Sequence, residues 1–179
     1  MDYWTIGCAA AGLSGHNQGG FGVPLQLKEA IDKLYKPPRD GKRQVLAVSR
    51  GVAEKLPRLE SVAVISVTAP GRPLASLDGL KRVLRLSFAD VDFMNPELSA
   101  RTKEKLADSF RPKHEEMIRE FVDALPGEVA TVVVHCEGGY SRSCAIALGL
   151  HRLYGYETDT KLLGEANPSV LHTMTQGRS

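Results

Sequence analysis

Four short runs of apolar residues predict the strands of a buried β-sheet. Residues 44–48 and 62–67 are apolar almost without interruption, which is typical of strands covered on both faces. Residues 83–88 alternate between apolar and polar side chains, as in a strand with one buried face. Residues 129–134 are again nearly all apolar, so we expect this fourth strand to lie at the centre of the sheet.

The segments between and after these runs have helical spacing of their apolar residues. Asn95 and Pro96 are typical of a helix start, and a second stripe of apolar residues begins at Pro112. The predicted helices cover residues 25–36, 51–59, 96–110, 112–125, 143–154 and 158–166, and a short segment after Pro168. Strands that alternate with helices predict an α/β fold, with a mostly parallel central sheet of four to five strands flanked by helices.

Length and composition indicate one globular domain with an N-terminal extension. The chain has 179 residues, of which 42% are hydrophobic, enough for one self-sufficient core. Residues 1–42, a Gly-rich loop and a short helix, are predicted to be an extension, and residues 43–179 the main domain. The formal net charge of +2 gives no reason to expect nucleic acid or a membrane as a partner.

The cysteines and the N-terminus indicate a reducing, cytoplasmic location. Cys8, Cys136 and Cys144 form no regular disulfide pattern, and neither a Cys-x-x-Cys pair nor a histidine cluster suggests a metal site. The first residues do not resemble a secretory signal, and no run of roughly eighteen apolar residues predicts a membrane span. Cys144 lies in an apolar helix, so we expect it to be buried; a regulatory disulfide with Cys136 is the alternative.

The candidate site lies at the carboxyl end of the predicted central strand, where ligands of parallel sheets bind. His135 and Cys136 end this strand, and Gly138 and Gly139 lie in the loop before the next helix. Glycines let successive backbone N–H groups converge at a helix N-terminus, which creates an anion site and favours the thiolate form of a nearby cysteine. Arg142 carries a planar guanidinium that matches phosphate oxygens. The pattern predicts an anion receptor with Cys136 as its nucleophile.

Residues 135–143, HCEGGYSRS, resemble the H-C-x5-R-S signature of cysteine-dependent protein tyrosine phosphatases, and GYSRS is similar to the compact dual-specificity branch. The resemblance extends from about residue 44 to the last helix, which would make residues 43–179 a phosphatase-like catalytic domain. It implies that Cys136 takes the phosphoryl group and that Arg142 holds its equatorial oxygens. Ser143 would hydrogen-bond the sulfur, although it could serve only as an N-cap, and His135 would support the loop. The phosphate-binding residues would be Glu137, Gly138, Gly139, Tyr140, Ser141 and Arg142.

The same family uses an aspartic acid, on a loop after an upstream strand, to protonate the leaving oxygen. Such a proton donor contributes roughly 10²–10⁴-fold to the rate. Asp90 and Asp92 both follow the third predicted strand, and we favour Asp90 because it lies two residues beyond Phe88, as in the dual-specificity pattern. The resemblance implies that neither a metal nor an organic cofactor is needed.

The expected substrate is a phosphorylated protein or peptide. Glu137 adds a negative charge to the loop, which disfavours highly charged phospholipids or nucleotides. The sequence has no segment that would build a deep phosphotyrosine cleft, so phosphoserine and phosphothreonine are candidates beside phosphotyrosine. Three alternatives remain open: a phosphoinositide or RNA 5′-triphosphate phosphatase on the same scaffold, a non-catalytic phosphate-binding module, and a rhodanese-like sulfurtransferase.

Overall fold

The computed structural model describes residues 23–176 and contains a four-stranded sheet in which every neighbouring pair of strands is parallel. The strands are β1 (Gln44–Ser49), β2 (Val62–Thr68), β3 (Val83–Ser87) and β4 (Thr131–Cys136). Their order is β1-β4-β2-β3. The α/β prediction is therefore confirmed, and so is the central position of the fourth strand, which lies between β1 and β2.

The described part of the chain forms six α-helices and two short 3₁₀ turns. The helices are α1 (Leu27–Tyr35), α2 (Arg50–Ala53), α3 (Ala100–Glu104), α4 (Pro112–Asp123), α5 (Arg142–Tyr154) and α6 (Pro168–Gln176), and the 3₁₀ turns are Leu106–Asp108 and Thr160–Leu163. Pro112 and Pro168 each occupy the first helical position, as the sequence predicts, because proline lacks only an N–H that has no partner there.

The prediction of one helix over residues 96–110 is wrong. Asn95 Oδ1 accepts a hydrogen bond from the N–H of Glu97, two residues on, which stabilises a turn rather than a helix start. The helix begins only after Ser99, whose Oγ accepts from the N–H of Thr102, and it ends at Glu104. Similarly, the segment predicted as a helix over residues 158–166 forms only the 3₁₀ turn Thr160–Leu163.

Each face of the sheet is covered by its own hydrophobic cluster. Alternate residues of β4 contribute to opposite sides: Val132 and Val134 belong to the cluster that includes residues of α4, α5 and α6, whereas Val133 belongs to the cluster that includes residues of α1 and α2. Residues of α1, notably Ala30 and Leu34, are buried in this second cluster. Full burial of a leucine side chain contributes roughly 1.5–3 kcal/mol, so the burial of Leu34 helps to hold α1 against the sheet.

The strand register brings the carboxyl ends of the central strands to one edge. Ser49 at the end of β1 pairs with Cys136 at the end of β4, and Ser66 in β2 pairs with His135. Because the strands are parallel, the loops that follow them emerge on the same side. No helix within residues 23–176 combines the length and the apolarity needed to cross a membrane.

Candidate active site

The loop between β4 and α5, residues 137–141, folds back against the end of β1 and is called the signature loop below. Gly139 has a φ of 81°, a conformation that side chains disfavour. A Cβ atom at this position would lie 2.4 Å from the backbone nitrogen of Ser49 and 2.6 Å from the carbonyl carbon of Val48. Only glycine fits here without a shift of backbone, so this residue decides how close the loop comes to β1.

Cys136 lies at the base of the signature loop, with 2% of its surface exposed. Its Sγ is 3.2 Å from Ser143 Oγ and accepts a hydrogen bond from the N–H of Gly139 at 3.3 Å. Ser143 is inside the first turn of α5, whose N-cap residue is Ser141, so the alternative that Ser143 serves only as an N-cap is wrong. The sulfur is therefore within hydrogen-bond distance of one backbone donor and of one hydroxyl that can donate or accept.

Further backbone donors of the loop have no acceptor within the described residues. The N–H groups of Gly138, Tyr140, Ser141 and Arg142 make no hydrogen bond to another part of residues 23–176. They lie at the N-terminus of the 13-residue helix α5, where the helix dipole also favours negative charge. This geometry is suited to binding the oxygens of a tetrahedral anion next to Cys136.

Arg142 is a buried cation that connects the signature loop with the segment after β3. Its Nη1 donates to the carbonyl oxygen of Phe88 at 2.9 Å, and its guanidinium carbon lies 6.0 Å from the centre of the Phe88 ring. Its Nε is 3.6 Å from Asp90 Oδ2 and has no hydrogen-bond partner in the described chain. A guanidinium has five N–H donors, and within the described residues only Nη1 of Arg142 makes a hydrogen bond.

The two candidate acids differ in what they contact. Asp90 Oδ1 accepts hydrogen bonds from Ser141 Oγ at 2.8 Å and from Asn167 Nδ2 at 2.9 Å. Asp92 Oδ1 instead accepts from Ser169 Oγ at 2.5 Å and from the N–H of Met94 at 3.1 Å. Only Asp90, of these two, contacts the signature loop and Arg142. Asp90 is therefore the acid that lies against the loop that follows Cys136.

Asn167 and Ser169 are site neighbours that the sequence did not indicate. They flank the start of α6, where a polar residue before a proline indicates no more than a helix cap. Their contacts with Asp90 and Asp92 each span 77 positions of the chain. No local pattern could have revealed contacts at that separation.

His135 is buried between strands, with 1% of its surface exposed. Its Nε2 is 2.8 Å from Ser66 Oγ in the neighbouring strand β2. Burial lowers the pKa of His135 from its usual 6.5 to about 4, because charging an imidazole away from water is unfavourable. The ring is therefore neutral at pH 7, and its hydrogen bond lies within the sheet rather than with the loop.

Cys144, in the first turn of α5, is buried beneath the signature loop. Its buried Sγ donates to the carbonyl oxygen of Gly139 at 3.4 Å. Both cysteines therefore contact Gly139, Cys136 through the N–H of this residue and Cys144 through its carbonyl group. Burial raises the pKa of Cys144 to about 12, so this thiol stays protonated. Cys136 and Cys144 are both free, whereas Cys8 lies outside the described residues.

A second arginine organises the edge of the site. The N–H of Arg50 donates to the carbonyl oxygen of Glu137 at 3.3 Å, and its guanidinium donates to the carbonyl oxygens of Pro73 and Leu74 at 2.8 and 2.7 Å. Its Nη1 lies 3.8 Å from the exposed carboxylate of Glu137. Arg50 therefore ties the loop after β2 to the start of the signature loop.

Comparisons with known proteins reveal a limited similarity in fold. No protein-family model matches this chain, and no curated protein sequence matches it. Among solved structures, the chain is similar to the crystal structure of human tyrosine phosphatase-like serine/threonine/tyrosine-interacting protein, with a TM-score of 0.47 and 20% sequence identity over 73% of this chain and 87% of that one.

Within residues 23–176, no group of three or more His, Cys, Asp or Glu side chains is arranged to hold a metal ion.

Proposed function

We propose that this protein is a cysteine-dependent phosphatase that hydrolyses phosphotyrosine, with phosphoserine and phosphothreonine as further substrates, in phosphorylated proteins. The observation that carries the proposal is the convergence of four groups at one end of the sheet. Cys136 contacts Ser143, and Arg142 contacts Asp90, around a loop whose free N–H groups suit an anion. A nucleophile, a cation, a set of amide donors and an acid are the parts that phosphoryl transfer to sulfur requires.

In the first step, the N–H groups of the signature loop and the guanidinium of Arg142 bind the phosphate oxygens. The thiolate of Cys136 attacks phosphorus, a P–S bond forms, and the P–O bond to the leaving group breaks. Asp90, which must enter this step protonated, donates its proton to the leaving oxygen. Phenolate and alkoxide are poor leaving groups, so this proton contributes most when the leaving alcohol has a high pKa.

In the second step, water hydrolyses the cysteinyl phosphate. Asp90, now a carboxylate, accepts a proton from the water as the new P–O bond forms and the P–S bond breaks. The hydroxyl of Ser143, 3.2 Å from the sulfur, donates a hydrogen bond to the departing thiolate of Cys136. Inorganic phosphate leaves and the enzyme returns to its first state, and no step requires a metal ion or an organic cofactor.

Four exposed apolar side chains, which we call the apolar rim, support a protein substrate. Tyr140 of the signature loop and Leu74 of the loop after β2 are 51% and 59% exposed, and Phe93 and Met94, just beyond Asp90, are 38% and 51% exposed. Arg50 connects Leu74 to the signature loop. Such a rim suits the side chains next to a phosphorylated residue better than it suits a highly charged inositol ring.

The first experiment measures hydrolysis of p-nitrophenyl phosphate by the wild type, Cys136→Ser and Cys144→Ser in the presence of a chelator. We expect activity that vanadate blocks, that Cys136→Ser abolishes and that Cys144→Ser retains. Full activity of Cys136→Ser would refute the mechanism. A folded wild type that binds vanadate without turnover would instead support a non-catalytic phosphate-binding module, and a persulfide on Cys136 after thiosulfate would support a sulfurtransferase.

The substrate class is tested by comparing phosphopeptides, phosphoinositide vesicles and 5′-triphosphorylated RNA. We expect kcat/KM to be highest for phosphopeptides with apolar residues beside the phosphorylated one. Leu74→Ser and Met94→Ser should lower kcat/KM for these peptides and leave p-nitrophenyl phosphate hydrolysis unchanged. Preference for the vesicles or for the RNA would assign the site to that substrate instead.

A further inference from the structure

Asn167 connects three separate parts of the site. Its side-chain Oδ1 accepts from the N–H of Val170 at 3.1 Å, which caps the start of α6. Its backbone N–H donates to the carbonyl oxygen of Ser141 at 3.3 Å, and its Nδ2 donates to Asp90 Oδ1 at 2.9 Å. Asn167 itself is only 5% exposed, whereas the Asp90 side chain that it contacts is 38% exposed.

The cap alone does not explain the third bond. A helix cap uses only the side-chain oxygen, and serine or aspartate would supply one equally well. The amide group of Asn167 adds a donor, and the structure directs this donor at the carboxylate of Asp90. Asparagine is the residue that can cap α6 and donate to an acid at the same time.

The two bonds on Asp90 distinguish its carboxylate oxygens. Oδ1 accepts from both Ser141 and Asn167, whereas Oδ2 lies 3.6 Å from Arg142 Nε, beyond hydrogen-bond distance. An oxygen that accepts two hydrogen bonds is the poorer site for a proton. Oδ2 is therefore the oxygen of Asp90 that accepts no hydrogen bond within the described residues, and it lies on the side of Arg142.

We propose that Asn167 is a positioning residue for the general acid: it fixes Asp90 so that the proton sits on Oδ2 and points towards the leaving oxygen. This inference rests on the proposed function. Asn167 does not touch the substrate; it acts through Asp90. Loss of this positioning lowers the rate roughly 10- to 100-fold where the leaving group needs a proton, since small displacements of catalytic groups are costly.

The test is Asn167→Asp. This substitution keeps the side-chain oxygen that accepts from the N–H of Val170 and caps α6, but it replaces the amide group that donates to Asp90 by a carboxylate oxygen. Asn167→Ser keeps a capping oxygen without added charge and serves as the second variant if the first does not fold. Ser169→Ala is the matched control, because it removes the hydrogen bonds of this hydroxyl with Asp92 and with the N–H of Met94 and leaves Asn167 intact. Rates are measured with phenyl phosphate, a poor leaving group, and with 2,4-dinitrophenyl phosphate, a good one.

We expect Asn167→Asp and Asn167→Ser to lower kcat for phenyl phosphate about 10- to 100-fold and to change kcat for the dinitrophenyl ester less than about threefold. Ser169→Ala should leave the ratio of the two rates unchanged. In an Asp90→Asn background, Asn167→Ser should have little further effect, because both changes remove the same function.

Three results would overturn the inference. An equal loss with both esters would show a purely structural role for Asn167. A change of the ratio in Ser169→Ala but not in the Asn167 variants would place the acid at Asp92. Full additivity with Asp90→Asn would show that Asn167 acts through another group. By contrast, a wild type without Cys136-dependent hydrolysis of either ester would refute the proposed function itself.

Discussion

Replacing Gly139 by alanine should destabilise the protein and abolish its activity. The φ of 81° alone costs an alanine about 1–2 kcal/mol. The new Cβ would also lie 2.4 Å from the Ser49 nitrogen and 2.6 Å from the Val48 carbonyl carbon. These are backbone atoms of β1 that cannot rotate away, and overpacking of this kind costs typically about 1–3 kcal/mol. We therefore expect Gly139→Ala to lower the free energy of unfolding by about 2–5 kcal/mol.

Gly71 is the matched control for this experiment. Its φ is 74°, but a Cβ there would meet no atom within 4 Å, so Gly71→Ala should cost only the conformational part, about 1–2 kcal/mol. Urea denaturation followed by far-UV circular dichroism gives both values. The difference between the variants measures the close approach of the signature loop to β1, and equal losses in the two variants would refute that reasoning.

Activity provides a second test of the same substitution. The N–H of Gly139 donates to Cys136 Sγ, so a shift of the loop large enough to relieve the clash also moves this donor. We expect Gly139→Ala to lose p-nitrophenyl phosphate hydrolysis under conditions where it is still folded, whereas Gly71→Ala retains it. Wild-type activity in folded Gly139→Ala would contradict the geometry of the loop.

Two further predictions concern buried titratable groups. The pKa of His135 is lowered to about 4 in the native state, whereas in the unfolded state the imidazole takes up a proton below about pH 6.5. The neutral, buried His135 therefore contributes fully to the free energy of unfolding above about pH 6.5, and this contribution declines as the pH falls towards 4. Between pH 6.5 and 5, the free energy of unfolding should fall by about 2 kcal/mol more in the wild type than in His135→Asn, and equal pH dependence in urea titrations would contradict this. Because burial raises the pKa of Cys144 to about 12, iodoacetamide at pH 7.5 should leave Cys144 unmodified in the folded protein and alkylate it in urea, as peptide mass mapping would show; equal labelling in both states would contradict its burial.

Much of the fold follows from local patterns in the sequence. Three nearly unbroken apolar runs predict strands because burial on both faces requires apolar residues throughout, and the alternation of residues 83–88 predicts the other strand because one of its faces is buried. The prolines at 112 and 168 mark helix starts for a similarly local reason. The wrong prediction for residues 96–110 also has a local cause. Asn95 and Pro96 suit a helix start, but the side chain of Asn95 accepts a hydrogen bond from the N–H of Glu97 and forms a turn. Turns and helix caps favour the same residue types, so the sequence does not distinguish them here.

The sequence by itself determined the strand that ends in Cys136, the loop after it and the position of Arg142, because these residues are neighbours in the chain and their spacing is a local property. Only the tertiary structure decided which strands flank β4, that Asp90 rather than Asp92 contacts Arg142, and that Asn167 binds Asp90 across 77 residues. Such contacts depend on how helices pack on the two faces of the sheet, which no short window of sequence encodes.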